Sequence, residues 1–342
     1  MLKLGIIGAG TVFKNQISAL ANNTDHYKIV CILDSDRSQL VKAHKLLRDL
    51  GANQEVSFCS SFSEFIACDI DTVLIATPPH THFQLAFDTL SMGKNVLLEK
   101  PAVLSIDELE LLYKQAGKTG TILHVAYHAA FSVEVEWYLE NQVSLANEYG
   151  LEKIRDIFCG FYDPYLIDGT MLPTKEKLGG SYIDSGVNAL SVCDKILPIR
   201  NFSTMNHTEH KYDNETVISS HTVFSDGQVS LHIDTGWIYG INRKMTVLQF
   251  ENCVYQLLFD HTGQRILIQP TVTTERILQR FREREEIPSS ESDLVLFEDT
   301  AIPRLNRQYT GVFAEFNDIT AQSANVEKSI QIHKLLLKNS IK

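Results

Sequence analysis

Short apolar runs alternate with longer segments of helical period through the first 125 residues. The runs at 2–7, 27–33, 72–76, 95–99 and 121–126 are rich in Ile, Val and Leu and predict strands. Between them, 11–21, 36–50, 80–92 and 105–118 repeat their apolar positions every three to four residues and predict helices. Ser105, with Glu108 three residues on, is placed for a capping box. Strand and helix in strict alternation predict an α/β unit built on a doubly wound parallel sheet. Beyond residue 126 the helical period gives way to extended stretches at 153–162, 200–206, 216–224, 228–238, 243–250, 253–259 and 264–269. Asp226-Gly227 and His261-Thr262-Gly263 mark turns between them. This texture predicts an α+β second domain with a mostly antiparallel sheet. Residues 270–300 are polar and irregular and receive no element. Residues 309–320 and 325–339 read as helices, the last packing back onto the body. The expected domains are therefore 1–125 and 126–342. No internal repeat or low-complexity tract interrupts them.

The first strand runs straight into Gly8-Ala9-Gly10, and a helical stretch begins near Thr11. A strand, a glycine turn and a helix are the parts that hold a dinucleotide pyrophosphate. Gly8 permits the tight turn, Gly10 lets the backbone approach the phosphates, and the helix N-terminus at Thr11 and Val12 supplies N–H groups. The third glycine of the usual G-x-G-x-x-G pattern is Phe13, which is expected to crowd the contact between helix and strand. The second strand ends at Asp34, 24 residues after Gly10 (34 − 10). A carboxylate there accepts hydrogen bonds from ribose hydroxyls and repels a 2′-phosphate, which favours NAD. Arg37 close by keeps NADP as the alternative. The competing reading is a glycine turn of an ordinary α/β protein, with Asp34 a solvated loop acid.

Charge and composition narrow the classes. The formal charge is 31 − 42 = −11, which speaks against a nucleic-acid partner. The most basic stretch, Arg276 to Arg284, is interrupted by Glu283 and flanked by Glu275, Glu285 and Glu286. It reads as a solvated face or mobile loop. No apolar run approaches the roughly 20 residues that span a bilayer, so no membrane partner is expected. Met1 leads into the first strand without a signal-peptide pattern, and the six scattered cysteines read as small buried hydrophobes of a reducing cytoplasm.

Two segments carry candidate chemistry. Glu99-Lys100-Pro101 closes a strand of the parallel sheet, where ligands of such sheets bind, and Pro101 is placed for a cis peptide. Gly179-Gly180 opens a helix on which Asp184 and Asn188, four apart, share one face continued by Ser191. An acid and an amide side by side can grip two hydroxyls of a polyol, and Gly186 between them leaves room for close approach. The plain alternative is a solvated polar stripe. His80-Thr81-His82 and His207-x-x-His210 have metal-ligand residue types without a third ligand, so no metal is expected.

Gly8-Ala9-Gly10, Thr77-Pro78-Pro79, Glu99-Lys100-Pro101 and the Gly-Gly…Asp184-x-Gly186 helix, in this order, resemble the glucose–fructose oxidoreductase / inositol dehydrogenase / MocA (Gfo/Idh/MocA) family. The resemblance implies a Rossmann domain followed by a domain with a large open sheet. It also implies a homodimer or homotetramer packed through that sheet. NAD, or NADP, would be held by Gly8, Gly10, Thr11, Val12, Asp34, Arg37, Thr77, Pro78, His82, Glu99 and Lys100. Most members carry histidine where this chain has Asn188; the string Asp184 to Ser191 is similar to the galactose and arabinose 1-dehydrogenase sub-group, which has asparagine there. His128, Asp163 and Trp237 would then contact the sugar. An amide exchanges no proton near neutral pH, so Asn188 would orient a hydroxyl while Lys100 takes its proton. The implied activity, with Lys100, Asp184 and Asn188 as catalytic residues, is C1 oxidation of an aldose to a lactone. Other redox reactions on an inositol, a nucleotide sugar or an imine stay open, as does a non-catalytic cofactor-binding role. For a nucleotide sugar, Arg243 and Lys244 are the candidate basic groove.

Overall fold

The computed structural model describes residues 1–21, 25–51, 55–173, 175–283 and 292–338. By its internal contacts the chain divides into two units. One comprises Met1–His128 with Leu305–Ile330; the other comprises Ala129–Arg304 and the residues from Gln331 onward.

The first unit is a six-stranded parallel sheet. Its strands are β1 (Leu2–Ile7), β2 (Tyr27–Leu33), β3 (Ser57–Cys59), β4 (Thr72–Ile75), β5 (Asn95–Glu99) and β6 (Leu123–Ala126), in the order β3-β2-β1-β4-β5-β6. This is the doubly wound order, with its switch point between β1 and β4. The helices are α1 (Phe13–Ala21), α2 (Arg37–Asp49), α3 (Phe62–Ile66), α4 (His82–Ser91) and α5 (Ile106–Thr119). Strands buried on both faces need continuous apolar runs rather than alternation, which is why Val73, Leu74 and Ile75, or Val96, Leu97 and Leu98, are all buried. The helices bury one stripe each: Leu109, Leu112 and Ala116 on α5, Phe13, Ile17 and Leu20 on α1. α5 ends on Gly120 at φ +65°. At its other end Ser105 has the N-cap backbone conformation, but its side chain makes no cap hydrogen bond, so the expected capping box does not close.

The second unit is built on α6 (Val133–Tyr149), β7 (Ile154–Tyr162), a small hairpin of β8 (Leu166–Ile167) and β9 (Thr170–Met171), and α7 (Gly180–Ile196). There follow β10 (Ser203–Tyr212), β11 (Thr216–Ser225), β12 (Ser230–Gly236), β13 (Arg243–Phe250), β14 (Tyr255–Asp260), β15 (Arg265–Pro270), α8 (Thr274–Arg282) and β16 (Leu294–Glu298). The large sheet has eight strands, ordered β10-β11-β12-β7-β13-β14-β15-β16. Only the β12–β7 pair is parallel. On one face α7 is held by hydroxyls: Thr235 donates to Ser181 at 3.2 Å and meets Ser220 at 2.8 Å. On the other, Ile277 and Phe281 of α8 join Phe158, Met245, Val247, Leu258 and Leu267 in one apolar cluster. Gly160 makes room for this helix, since a Cβ there would come within 2.4 Å of the Phe281 ring.

α8 corrects the expectation of a solvated or mobile basic stretch. Arg280 is buried and bonds Gln269 and Asp293, and Arg282 pairs with the buried carboxylate of Asp234. The arginines are internal partners of buried acids and amides. Arg284, Glu285 and Glu286 lie outside the described residues. α6 and β3 are further elements that the apolar pattern does not announce.

The chain closes with α9 (Arg304–Asn317) and α10 (Ile319–Leu337). Residues 305–330, expected with the second domain, belong by contact to the first unit. Polar bonds tie them there. Tyr27 Oη donates to the Phe313 carbonyl at 3.0 Å, and Asn325 bonds both backbone groups of Val125 at 2.9 and 3.1 Å. His124 Nε2 meets Glu315 Oε2 at 3.0 Å. Asn339, the end of the expected last helix, lies outside the described residues. Among the described residues no helix is long and apolar enough to cross a membrane.

Burial alone would raise the Glu315 pKa, but the His124 hydrogen bond and the Lys328 charge outweigh it and hold the carboxyl at about 2. A carboxylate with a depressed folded-state pKa contributes stability that is present above its unfolded value, about 4.3, and lost as pH falls toward 2. Glu315→Gln is therefore expected to lower the urea midpoint at neutral pH. It should also flatten the wild type's fall in midpoint between about pH 4 and 2. Urea titrations across that range check this.

Candidate functional site

The glycine turn lies at the carboxyl end of β1. Gly8 sits at φ +98°, and a Cβ there would come within 2.5 Å of the Ala76 carbonyl oxygen, so only glycine fits. Gly10 is the opposite case: nothing lies within 4 Å of a Cβ built on it. One glycine is required by the protein's own backbone, and the other leaves open space in front of the helix. Asp34 braces the turn. Its Oδ2 accepts the Ala9 amide at 2.8 Å and its Oδ1 the Asp36 amide at 2.8 Å. Each oxygen keeps a further lone pair for a ribose hydroxyl. α1 begins at Phe13, two residues later than expected, with Thr11 and Val12 just ahead of it. Phe13 turns into the core at 3% exposure instead of crowding the turn. At the start of α1 the Phe13 amide donates to the Gly10 carbonyl at 3.3 Å, and the Asn15 and Gln16 amides donate to the Val12 carbonyl at 3.0 and 3.2 Å. Arg37 is exposed on the first turn of α2. The open glycine, the helix start and the oriented carboxylate fit a dinucleotide.

At the end of β5, Glu99 is buried. Its Oε1 accepts Gln16 Nε2 of α1 at 2.8 Å and Tyr309 Oη of α9 at 2.6 Å; its Oε2 accepts the Lys100 amide at 3.2 Å. Burial pushes the Glu99 pKa up, against these donors and the Lys100 charge. The carboxyl therefore acts as an internal strut that fixes where Lys100 leaves the strand. The Lys100–Pro101 peptide is cis, and the Lys100 side chain is partly exposed. His82 is wholly buried. Its Nδ1 lies 3.0 Å from the Pro101 carbonyl and its Nε2 2.7 Å from that of Thr77, so the ring staples the Thr77-Pro78 loop to the Lys100-Pro101 loop. Thr77 Oγ1 also meets Thr81 Oγ1 at 2.7 Å. His128 Nδ1 meets Gln308 Oε1 at 3.0 Å, and its ring lies 5.2 Å from that of Tyr309.

The second unit gathers a separate polar group. Asp163, just past β7, accepts Lys244 Nζ at 2.6 Å. The same ammonium donates to the Tyr162 carbonyl at 2.9 Å and to Asn242. Lys244 is 5% exposed; burial pulls its pKa down while the Asp163 and Asp184 charges oppose the shift. Tyr165 feels the same two carboxylates, and burial first, then their charges, push its phenol up. Arg304 is also close enough to interact with Asp163. Trp237 is fully buried with its ring 5.4 Å from Tyr165, and its Nε1 finds no acceptor among the described residues. On α7, Asn188 Nδ2 reaches the Asp184 carbonyl at 3.4 Å, while its buried Oδ1 has no donor among the described residues.

Two expectations change here. Gly186 does not open space for a ligand; a Cβ would touch Leu336 and Tyr182 at 3.4 Å, so it serves helix packing. Arg243 and Lys244 form no basic groove, because Arg243 bonds the Arg280 and Glu283 carbonyls at the end of α8 and Lys244 is paired inside. Tyr165, Arg304 and the Lys244–Asp163 pair were missed as a group. The available signal was the inward parity of Lys244 with Thr246 and Leu248 along β13. His207 bonds Thr222 at 2.8 Å and Glu209 at 3.2 Å, and among the described residues no three His, Cys, Asp or Glu side chains converge as metal ligands would.

Residues 2–127 match the Gfo/Idh/MocA family, described as an oxidoreductase family with an NAD-binding Rossmann fold. Residues 2–127 thus match an NAD(P)-binding Rossmann domain. Inositol 2-dehydrogenase 1 of Saccharopolyspora erythraea is 28% identical over 134 residues, covering 38% of each chain. The match spans 37% and 38% of the length of the first two curated relatives. The fold as a whole is similar to that of KijD10, a 3-ketoreductase from Actinomadura kijaniata crystallised with NADP. The TM-score is 0.71 at 15% identity, over 98% of this chain and 95% of that one. GenD2 from gentamicin A biosynthesis, in complex with NAD, also has a TM-score of 0.71 at 15% identity, over 98% and 92%.

The two glycines separate two roles. Gly8→Ala is expected to destabilise the protein by about 1–3 kcal/mol, the size of a strained backbone position. Gly10→Ala is expected to leave the melting temperature of the cofactor-free protein unchanged yet weaken NAD binding. Melting curves and calorimetric NAD titrations of both variants check this.

Proposed function

We propose that this protein is an NAD(P)-dependent dehydrogenase acting on the CH–OH group of a sugar or polyol, with C1 oxidation of an aldose to a lactone as the specific reaction. The observation that carries this reading is Lys100, set at the strand end of a nicotinamide-binding domain by the buried Glu99. Nicotinamide, when bound, supplies the hydride-accepting chemistry. Lys100 takes the proton from the hydroxyl that becomes the carbonyl, and NAD is preferred over NADP because Asp34 faces the ribose side. Thr77, Pro78 and His82 hold the loop wall of the cofactor site.

The second unit offers partners for hydroxyls. Asp163 pairs with Lys244 and interacts with Arg304, Asp184 interacts with Lys244, and Lys175 Nζ lies 4.3 Å from the Tyr165 ring centroid. Trp237 Nε1 is a buried donor and Asn188 Oδ1 a buried acceptor without partners among the described residues. Hydroxyls both donate and accept, so a polyol can satisfy either. In this reading Asp184 and Asn188 orient hydroxyls, Asp163 and Trp237 line the sugar, and His128 supports the site. A homodimer or homotetramer through the eight-stranded sheet completes the proposal.

The experiment is the absorbance of reduced nicotinamide with purified protein, NAD or NADP, and a panel of aldoses and inositols. Reduction with one aldose and release of its lactone is expected. An inositol as the only substrate would move the reaction to a ring alcohol, and silence despite NAD binding would favour a non-catalytic role. Lys100→Met is expected to abolish turnover while NAD affinity stays within about threefold of wild type, a change of under 1 kcal/mol. Normal turnover in that variant would remove Lys100 from the proton step.

A further inference from the structure

The three cysteines of the first unit converge. Cys31 lies in β2, Cys59 ends β3 and Cys68 follows α3. β2 and β3 are parallel neighbours, with Cys31 opposite Ser57 and Leu33 opposite Cys59. Positions 57 and 59 share a face, so Cys31 and Cys59 project to the same side of the sheet. On that side the Phe65 carbonyl of α3 accepts the Cys31 thiol at 4.0 Å and the Cys68 amide at 3.1 Å. Cys68 Sγ donates to the Glu64 carbonyl at 3.7 Å. The Cys68 sulfur thereby comes within hydrogen-bond reach of both other thiols.

The three differ in access. Cys31 and Cys59 are buried, whereas Cys68 is partly exposed, so a dissolved oxidant meets Cys68 first. Burial, then the neighbouring Cys68, pushes the Cys59 thiol up to about 11, and burial pushes Cys31 higher still. Of the two buried thiols, Cys59 is thus the readier to supply the thiolate that attacks a neighbouring sulfur. Cys59 is also tied to the cofactor side. Its carbonyl accepts the Asp34 amide at 3.4 Å, and Asp34 Oδ2 accepts the Ala9 amide of the glycine turn at 2.8 Å. Drawing the Cys59 and Cys68 sulfurs into a bond pulls on the strand end that holds Asp34.

We propose that Cys68 and Cys59 form a reversible disulfide when the protein meets hydrogen peroxide, and that this bond weakens NAD binding. The Cys68 thiolate attacks one peroxide oxygen, the O–O bond breaks, and Cys68 becomes a sulfenic acid as hydroxide leaves. The Cys59 thiolate then attacks the Cys68 sulfur; the S–S bond forms, the S–O bond breaks and a second hydroxide leaves. Each hydroxide takes the proton given up by the attacking thiol. Two thiols and one peroxide therefore give one disulfide and two waters, the sulfurs losing the two electrons that the peroxide gains. A dithiol reverses the bond by exchange. All residues involved belong to the first unit. The weakening of NAD binding rests on the reading of Asp34 as the ribose ligand; the disulfide does not.

The test treats the full-length protein with hydrogen peroxide, alkylates the remaining thiols and maps the peptides by mass spectrometry. A peptide pair linked through Cys59 and Cys68, released by dithiothreitol, is expected. Cys68→Ser is expected to abolish the link, and Cys59→Ser to leave a Cys68 sulfenic acid that dimedone traps. Calorimetric titration of the oxidised protein is expected to show NAD binding about tenfold weaker, restored by dithiothreitol and unaffected by peroxide in Cys68→Ser. Undiminished alkylation of Cys68 after millimolar peroxide, or a link to Cys31 instead, would overturn the disulfide. A Cys59–Cys68 link with unchanged NAD affinity would overturn its effect on the cofactor.

Discussion

Glu99 is a buried carboxyl group, and the first unit is arranged around its needs. An ionised carboxylate in such a place is costly unless several donors surround it. The three that do so come from α1, α9 and the backbone of Lys100. The helix that follows the glycine turn, the C-terminal helix that returns to this unit and the strand end that presents Lys100 are thereby tied to one atom group. Removing one of these donors would leave a buried carboxyl oxygen short of a partner, an effect on the order of 1–3 kcal/mol.

The same economy governs the rest of the cofactor side. His82 and Asp34 both spend polar atoms on backbone: one joins the Thr77 and Pro101 loops, the other braces Ala9. Rigid loops with their internal hydrogen bonds already made leave the space over Gly10, ahead of α1, as the open region. A pyrophosphate requires such a region, and preorganised donors bind an anion without first having to be ordered.

Much of this was legible from residue order. The continuous apolar strands, the glycine turn and Asp34 are local signals, and each sits where its spacing placed it. What stayed hidden depends on long-range partners. Nothing near Glu99 in the chain announces Gln16 or Tyr309, which lie 83 and 210 residues away. β3 is three residues long, too short for a period. α8 is amphipathic, but its arginines read as solvent-facing until Gln269, Asp293 and Asp234 are seen to meet them. Lys244 looked like a groove cation because its partner, Asp163, lies 81 residues earlier. Gly186 shows the converse: a small residue in a polar stretch suggested space for a ligand, while Leu336 occupies that space.

A dinucleotide domain with a lysine at a strand end, and a second unit whose buried Trp237 Nε1 and Asn188 Oδ1 suit hydroxyls, support the proposed sugar or polyol dehydrogenase. The most direct measurement is deuterium transfer: incubation of the protein with NAD and 1-deuterated aldoses, followed by mass analysis of the reduced nicotinamide and the sugar product. Deuterium on the nicotinamide, with the lactone as co-product, is the expected result. Reduced nicotinamide without deuterium would place the oxidised carbon elsewhere, and absence of reduction with every aldose would contradict the aldose reaction itself.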